Sequence, residues 1–352
     1  MSRVITYGKA INEALRVALR NDRRVLCYGL GVDDPKGVFG TTSGLHEEFG
    51  SDRVFDMPTA ENAMTGIAIG AALNGFRPVM THQRLDFFLL AMDQLVNNAA
   101  KWLYMFGGKR SVPLTIRLII GRGWGQGPTH SQSLQAWFAH VPGLKVVAPT
   151  LPDDAKGLLL SSIFDDNPVV FLEHRWLHAV EGHVPEGDHR VPIGASRRLA
   201  EGDDVTVVSM SYMTIEALHA LEHLRARGVA VDLIDLRTIQ PLDWDAVFAS
   251  VRKTGRLLVL DTGAANCSVA GEIIARVTME HFDALKRAPE RLAAPDIPAP
   301  TSPALSEGYY KRAEDIVAAV GRLLERDLGP SVLRQSRTTP HDVPGDWFRG
   351  PF

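Results

Sequence analysis

Cysteine is scarce in this sequence: Cys27 and Cys267 are the only two, each inside an apolar or small-residue stretch. Thiols so few and so far apart offer neither a disulfide framework nor a thiolate metal site, and they point to a reducing compartment. A charge excess is missing too. The 38 Lys and Arg residues stand against 41 Asp and Glu, for a net charge of −3. With both signs interspersed, the chain has no electrostatic footprint for nucleic acid or an anionic membrane. No apolar run approaches the ~20 residues that cross a bilayer. Ala10 to Leu19 has helical apolar spacing and carries the acidic Glu13, unlike a signal or transit peptide. These absences predict a cytoplasmic protein that contacts neither nucleic acid nor membrane.

What is present is a globular balance, 45% hydrophobic and 22% charged over 352 residues, a length that suits two domains. Short Val/Ile/Leu-rich runs predict strands at 24–29, 54–57, 78–81, 114–120, 146–149 and 169–173. Helical patterns fall between them at 61–74, 87–105 and 152–164. Near-continuous apolar strands separated by helices predict a parallel sheet covered on both faces. A polar, Gly- and Pro-containing stretch at 183–198 reads as a linker. The alternation then restarts with strands at 205–209, 231–236 and 257–261 and closes on a helix at 309–325. The expected organisation is therefore a domain over 1–182, the linker 183–198, a second α/β domain over 199–328, and an irregular tail at 329–352. That tail is expected to lie on a surface, its own or a partner's.

Three stretches carry chemistry. In the first, Glu61 follows the strand at 54–57 and opens a helix, at the carboxyl end of a strand where open α/β sheets place ligands. Taken alone it reads more readily as a first-turn glutamate favoured by the helix dipole. The helix behind it is rich in Gly and Ala and suits close approach of another backbone. The second stretch, Gly121-Arg122-Gly123-Trp124-Gly125-Gln126-Gly127-Pro128-Thr129-His130, fits neither a dinucleotide loop nor a P-loop. It reads as a flexible loop delivering His130 to the end of a strand. The third, His82-Gln83-Arg84-Leu85-Asp86-Phe87-Phe88, ends a strand and opens a helix. His174 and His178 stand four apart but lack a third zinc ligand.

In order and spacing these stretches resemble the beta subunits of pyruvate and branched-chain 2-oxo acid dehydrogenases, which are related to the last two domains of transketolase. The resemblance runs over residues 5–324. Its most specific parts are Phe55-Asp56-Met57-Pro58-Thr59-Ala60-Glu61-Asn62, Asp93-Gln94-Leu95-Val96-Asn97-Asn98-Ala99-Ala100-Lys101, His130-Ser131-Gln132-Ser133 and Asp235-Leu236-Arg237-Thr238-Ile239-Gln240-Pro241. It implies a thiamine-pyrimidine-binding parallel-sheet domain followed by a transketolase C-terminal-like α/β domain. It also implies decarboxylation of a 2-oxo acid and acyl transfer to a lipoyl group. Glu61 falls on the glutamate that exchanges a proton with the aminopyrimidine of thiamine diphosphate, and Phe87 on the aromatic that packs against that ring. Thr59 and Gln83 match neighbouring cofactor-contact positions. His130 matches the active-site histidine, whose imidazole suits a proton-transfer role. Leu114, Ser162, Asp165 and Asn167 match a potassium (K+) site built largely of backbone carbonyls.

The Gly-Asp-Gly motif that binds diphosphate through Mg2+ is missing; Glu201-Gly202-Asp203-Asp204 lacks its second glycine. The resemblance therefore implies an alpha subunit that carries diphosphate and Mg2+, in a heterotetramer of two alpha and two beta chains, with a lipoyl acyltransferase as a further partner. His82, Arg84, Arg122 and Trp124 depart from the family pattern, and so does the tail. They leave the acceptor open. A split transketolase-like carboligase is one alternative and a non-catalytic scaffold subunit another, although Glu61, Phe87 and His130 together speak against the scaffold.

Overall fold

The computed structural model describes residues 2–123 and 125–348 and contains two mainly parallel sheets. Among the described residues fourteen strands occur in chain order: β1 (Ser2–Thr6), β2 (Val25–Gly29), β3 (Val54–Asp56), β4 (Arg77–His82), β5 (Thr115–Ile120), β6 (Lys145–Val147), β7 (Val169–His174), β8 (Glu181–Pro185), β9 (Arg197–Ala200), β10 (Val205–Ser209), β11 (Val231–Asp235), β12 (Thr238–Gln240), β13 (Leu257–Ala264) and β14 (Glu290–Ala294). The first sheet has the order β12-β6-β7-β5-β4-β2-β3 and the second β14-β13-β10-β11-β9.

Strands β5 and β7 are buried at every position because both faces of the first sheet are covered. One apolar cluster, with Met64, Ala68, Phe88 and Leu95, lies on the side of the helix Glu61–Leu73. Another, with Ile11, Leu15, Leu158 and Leu159, joins the helices Tyr7–Asn21 and Pro152–Ile163 on the other. The second sheet packs its own cluster against the helices Met213–Ala226 and Ala313–Leu324.

Long-range pairing made several elements that local pattern missed. β1 pairs antiparallel with β8, which runs into the stretch expected as linker, and β9 opens before that stretch ends. β12 leaves the second half of the chain to pair with β6, so one sheet spans both halves. The helix expected at 87–105 is broken into Leu85–Phe88, a 3-10 turn, a π-helical stretch Gln94–Ala99 and Ala100–Met105. The closing helix begins at Ala313, later than the pattern suggested. The tail is not wholly irregular: a helix, Ser331–Ser336, precedes a segment that folds back over the chain's own surface.

A charged pair sits inside the sheet. Arg117 of β5, 1% exposed, donates from Nε to Glu173 Oε1 of β7 at 2.7 Å and from Nη2 to Glu173 Oε2 at 3.0 Å. It also donates to Thr81 Oγ1 at 3.2 Å and to Thr41 Oγ1 at 3.0 Å. Burial pushes the Glu173 carboxyl up, but the Arg117 charge and the contacts from His178 and Arg117 outweigh it and hold the group below the usual carboxylate range. A depressed folded-state value means stability that is present above the unfolded value and lost as pH falls through the folded one. Glu173→Gln strands a buried guanidinium, and we expect it to cost about 3–5 kcal/mol in denaturant unfolding at neutral pH. The acid-side loss should flatten as well. A cost below about 1 kcal/mol would show that the pair is not needed.

Candidate functional site

The site gathers at the carboxyl ends of β3, β4 and β5. Asp56, last in β3, accepts the backbone N–H groups of Gly31 at 3.0 Å and Val32 at 2.6 Å, which fixes the exits of β2 and β3 together. Five residues later Glu61 opens its helix. No side chain caps that helix, and the dipole at its N-terminus favours the Glu61 charge. Thr65 Oγ1 donates to the Glu61 carbonyl at 2.8 Å and pins the first turn. Glu61 is only 5% exposed, yet no hydrogen bond or ion pair from another described residue reaches its carboxylate. Buried carboxylates are ordinarily paired, so this one is poised for a group from outside the chain. Thr59 and Gln83 are exposed nearby, and Gln83 Nε2 donates to the Leu30 carbonyl at 3.2 Å.

Phe87 and His130, 43 residues apart in sequence, meet edge-to-face with ring centroids 5.3 Å apart. Both are half-buried. Gln132 Nε2 donates to Asp86 Oδ1 at 2.7 Å, joining the helix of Phe87 to the loop of His130. Sequence reasoning placed both residues in recognisable stretches but had no signal that they pair. The loop closes at its neck, where the Gly121 N–H donates to the Gln132 carbonyl at 3.1 Å. Gly121 has φ +73°, and a Cβ there would stand 2.2 Å from His174 Nε2, so the neck requires glycine.

The departures from the family pattern have structural roles. Arg84, 3% exposed, donates to the Gly121 carbonyl at 3.1 Å and to the Gln126 side chain, holding the His130 loop from beneath. Arg122 bonds the Thr301 carbonyl at 3.1 Å and pairs with Asp342 at 3.0 Å. His82 is sealed against Phe88, ring centroids 5.0 Å apart, with neither nitrogen bonded, and burial drives its pKa down to about 3. Trp124 lies outside the described residues.

His174 and His178 do not form a zinc site. His174 Nδ1 accepts the Trp176 N–H at 3.2 Å and its ring stacks on Tyr212, while His178 Nε2 stands 3.3 Å from Glu173. Among the described residues no group of three or more His, Cys, Asp or Glu side chains is arranged to hold a metal ion. Leu114 precedes β5, Asp165 and Asn167 precede β7, and Ser162 lies in the last turn of the helix Pro152–Ile163. The Leu114 carbonyl accepts the Val169 N–H at 2.9 Å and the Asp165 carbonyl accepts Arg77 Nη1 at 2.9 Å. Each carbonyl keeps a second lone pair, which is the donor chemistry a monovalent cation takes.

The chain matches the family described as "Transketolase, pyrimidine binding domain" over residues 3–179 and that described as "Transketolase, C-terminal domain" over residues 194–316. It is 41% identical over 335 residues to the acetoin:2,6-dichlorophenolindophenol oxidoreductase subunit beta of Cupriavidus necator, covering 92% of this chain and 99% of that one. It is 39% identical over 322 residues to the pyruvate dehydrogenase E1 component subunit beta of Bacillus subtilis, covering 91% and 99%. The 2-oxoisovalerate dehydrogenase subunit beta of the same organism is 39% identical over 324 residues, covering 92% and 99%. Among solved structures, a split gene transketolase described as an inactive beta4 tetramer superposes with a TM-score of 0.75 at 22% identity, over 91% of this chain and 98% of that one, a likeness of fold.

Because its folded pKa is lowered from 6.5 to about 3, His82 contributes acid sensitivity: stability is fully present above 6.5 and falls as pH drops toward 3. His82→Phe, which keeps a flat ring against Phe88, should lessen this fall by up to ~1.4 kcal/mol per pH unit. Urea unfolding from pH 7 to pH 4 measures it, and parallel curves for variant and wild type would refute the assignment.

Proposed function

Because the chain belongs to the transketolase-like family of thiamine-dependent 2-oxo acid dehydrogenase beta subunits, we propose that it supplies the pyrimidine-side half of a shared active site. The observation that carries this reading is Glu61, buried and unpaired at a helix N-terminus and reached by no hydrogen bond or ion pair among the described residues. A carboxylate that exchanges a proton with a ring nitrogen needs this arrangement, since an internal partner would compete for it. Phe87 presents a flat apolar face and Thr59 and Gln83 present polar groups, a set that fits an aminopyrimidine. Bound there, thiamine diphosphate supplies the nucleophilic carbon and the electron sink for cleaving a bond beside a carbonyl. Glu61 moves the proton at the ring, and His130, braced against Phe87, handles a proton at the carbonyl substrate or the acyl acceptor.

The other half comes from a partner. Without a Gly-Asp-Gly motif this chain has no group for the diphosphate and its Mg2+, and an alpha subunit provides them. Large apolar side chains on the same side as Glu61 suit such a partner: Ile67 is 58% exposed, Leu90 70% and Tyr104 90%. We assign K+ to the carbonyls of Leu114, Ser162, Asp165 and Asn167, and take the lipoyl acyltransferase as the downstream partner. Residues 1–182 and 199–328 serve as the two domains. No helix among the described residues is long and apolar enough to cross a membrane, and a cytoplasmic setting goes with this reading.

The favoured reaction is oxidative decarboxylation of a 2-oxo acid. Oxidation of acetoin is a second reading, carried by the 41% identity to acetoin:2,6-dichlorophenolindophenol oxidoreductase beta subunits of two organisms. Turnover of pyruvate, branched-chain 2-oxo acids and acetoin by the complex with its alpha partner separates them.

Glu61→Gln should leave folding and assembly intact while lowering turnover of the complex by ~10²–10⁴-fold. A loss below tenfold would remove Glu61 from the proton exchange. The chain without its partner should bind thiamine diphosphate weakly and turn nothing over, and tight binding by calorimetry would overturn the split site. His130→Ala should spare cofactor affinity and impair either both half-reactions or acyl transfer alone. Decarboxylation to an artificial electron acceptor, compared with transfer to lipoamide, distinguishes the two.

A further inference from the structure

We infer that the C-terminal tail positions the loop of His130 through Asp342, an inference that rests on the functional reading above. The loop is held at its first residues, well before the histidine. Arg122 is 1% exposed and Asp342 7%, and their pairing at 3.0 Å joins the loop to the tail. Arg122 Nε and Nη1 have no acceptor, so Asp342 is the one carboxylate that balances this buried cation among the described residues. The next residue is held as well. The Gly123 carbonyl accepts Trp176 Nε1 at 3.3 Å, and the Trp176 carbonyl accepts Trp347 Nε1 of the tail at 3.2 Å.

The tail itself is anchored on the second half of the chain. Arg312, 3% exposed, pairs with Glu216 at 2.6 Å and donates to the carbonyls of His341, at 3.2 Å, and Val343. Asp342 lies between those two carbonyls in sequence, so the anchor and the carboxylate act as one unit. Arg84 grips the loop from the first sheet through Gly121 and Gln126. The loop is therefore clamped from both sides, and release of one side lets His130 leave Phe87. A buried arginine that loses its counter-charge moves toward water and takes its backbone with it.

The test compares Asp342→Asn, which keeps the shape and removes the charge, with Asp342→Glu, which restores it. In the full-length chain, hydrogen exchange of the amides at 125–132 should quicken at least tenfold in Asp342→Asn and return near wild type in Asp342→Glu. In the complex with the alpha partner, kcat should fall roughly ten- to a hundredfold, the scale of a misplaced reacting group. Affinity for thiamine diphosphate, and KM, should change less than threefold. In an Arg122→Met background the Asn substitution should have little further effect on exchange or kcat, because the charge it balances is gone. That background also serves if Asp342→Asn alone folds poorly. Unchanged exchange in Asp342→Asn, or equal losses of kcat in the Asn and Glu variants, overturns the positioning role. If the wild-type complex showed no thiamine-dependent turnover, the functional reading would fail, while the exchange data would still decide whether the tail holds the loop.

Discussion

The first sheet depends on one buried arginine. Arg117 stands on β5 with its guanidinium inside the protein, a location tolerable only if its donors and its charge are met. Glu173 of β7 takes two of the bonds, Thr81 of β4 a third and Thr41 a fourth. One cation thus ties three neighbouring strands and the loop after β2 at the end of the sheet where Gln83, Phe87 and the loop of His130 emerge. His82 follows Thr81 directly, and the glycine loop begins four residues after Arg117.

On that base the site is assembled from segments rigid at their roots. Asp56 fixes the approach to Glu61, and Asp86 with Gln132 joins the segment of Phe87 to that of His130. Such bracing matters for a shared active site, because a reacting group held by its own subunit needs no reordering when the partner docks. The Glu61 carboxylate meets no hydrogen-bond or ion-pair partner among the described residues, and it is where an external group is needed.

The second half of the chain does more than stack beside the first. β12 extends the first sheet, and Arg237, placed by that crossing, donates to Asp154 at 2.7 Å in the helix Pro152–Ile163. Asp235 is buried beside this pair, and burial together with the Asp154 charge pushes its pKa up to about 7. The two halves therefore share charges as well as backbone, and the tail crosses the same junction.

How much could be foreseen differed by kind of feature. Most strands of the first sheet were legible because strands buried on both faces are mainly apolar. Glu61, Phe87 and His130 stood out through the stretches around them. The pairing of β1 with β8, the crossing of β12 and the breaks between Phe88 and Ala100 were not legible, since each is stabilised by partners distant in sequence. Arg84 and Arg122 looked like misfits in the sequence and became clamps only when the fold brought Gly121, Gln126, Thr301 and Asp342 beside them. By itself the sequence determined the alternation of strand and helix, because burial writes its period into local composition. Only the tertiary structure decided which charges meet, because an ion pair is a contact between residues far apart in the chain and leaves no period to read.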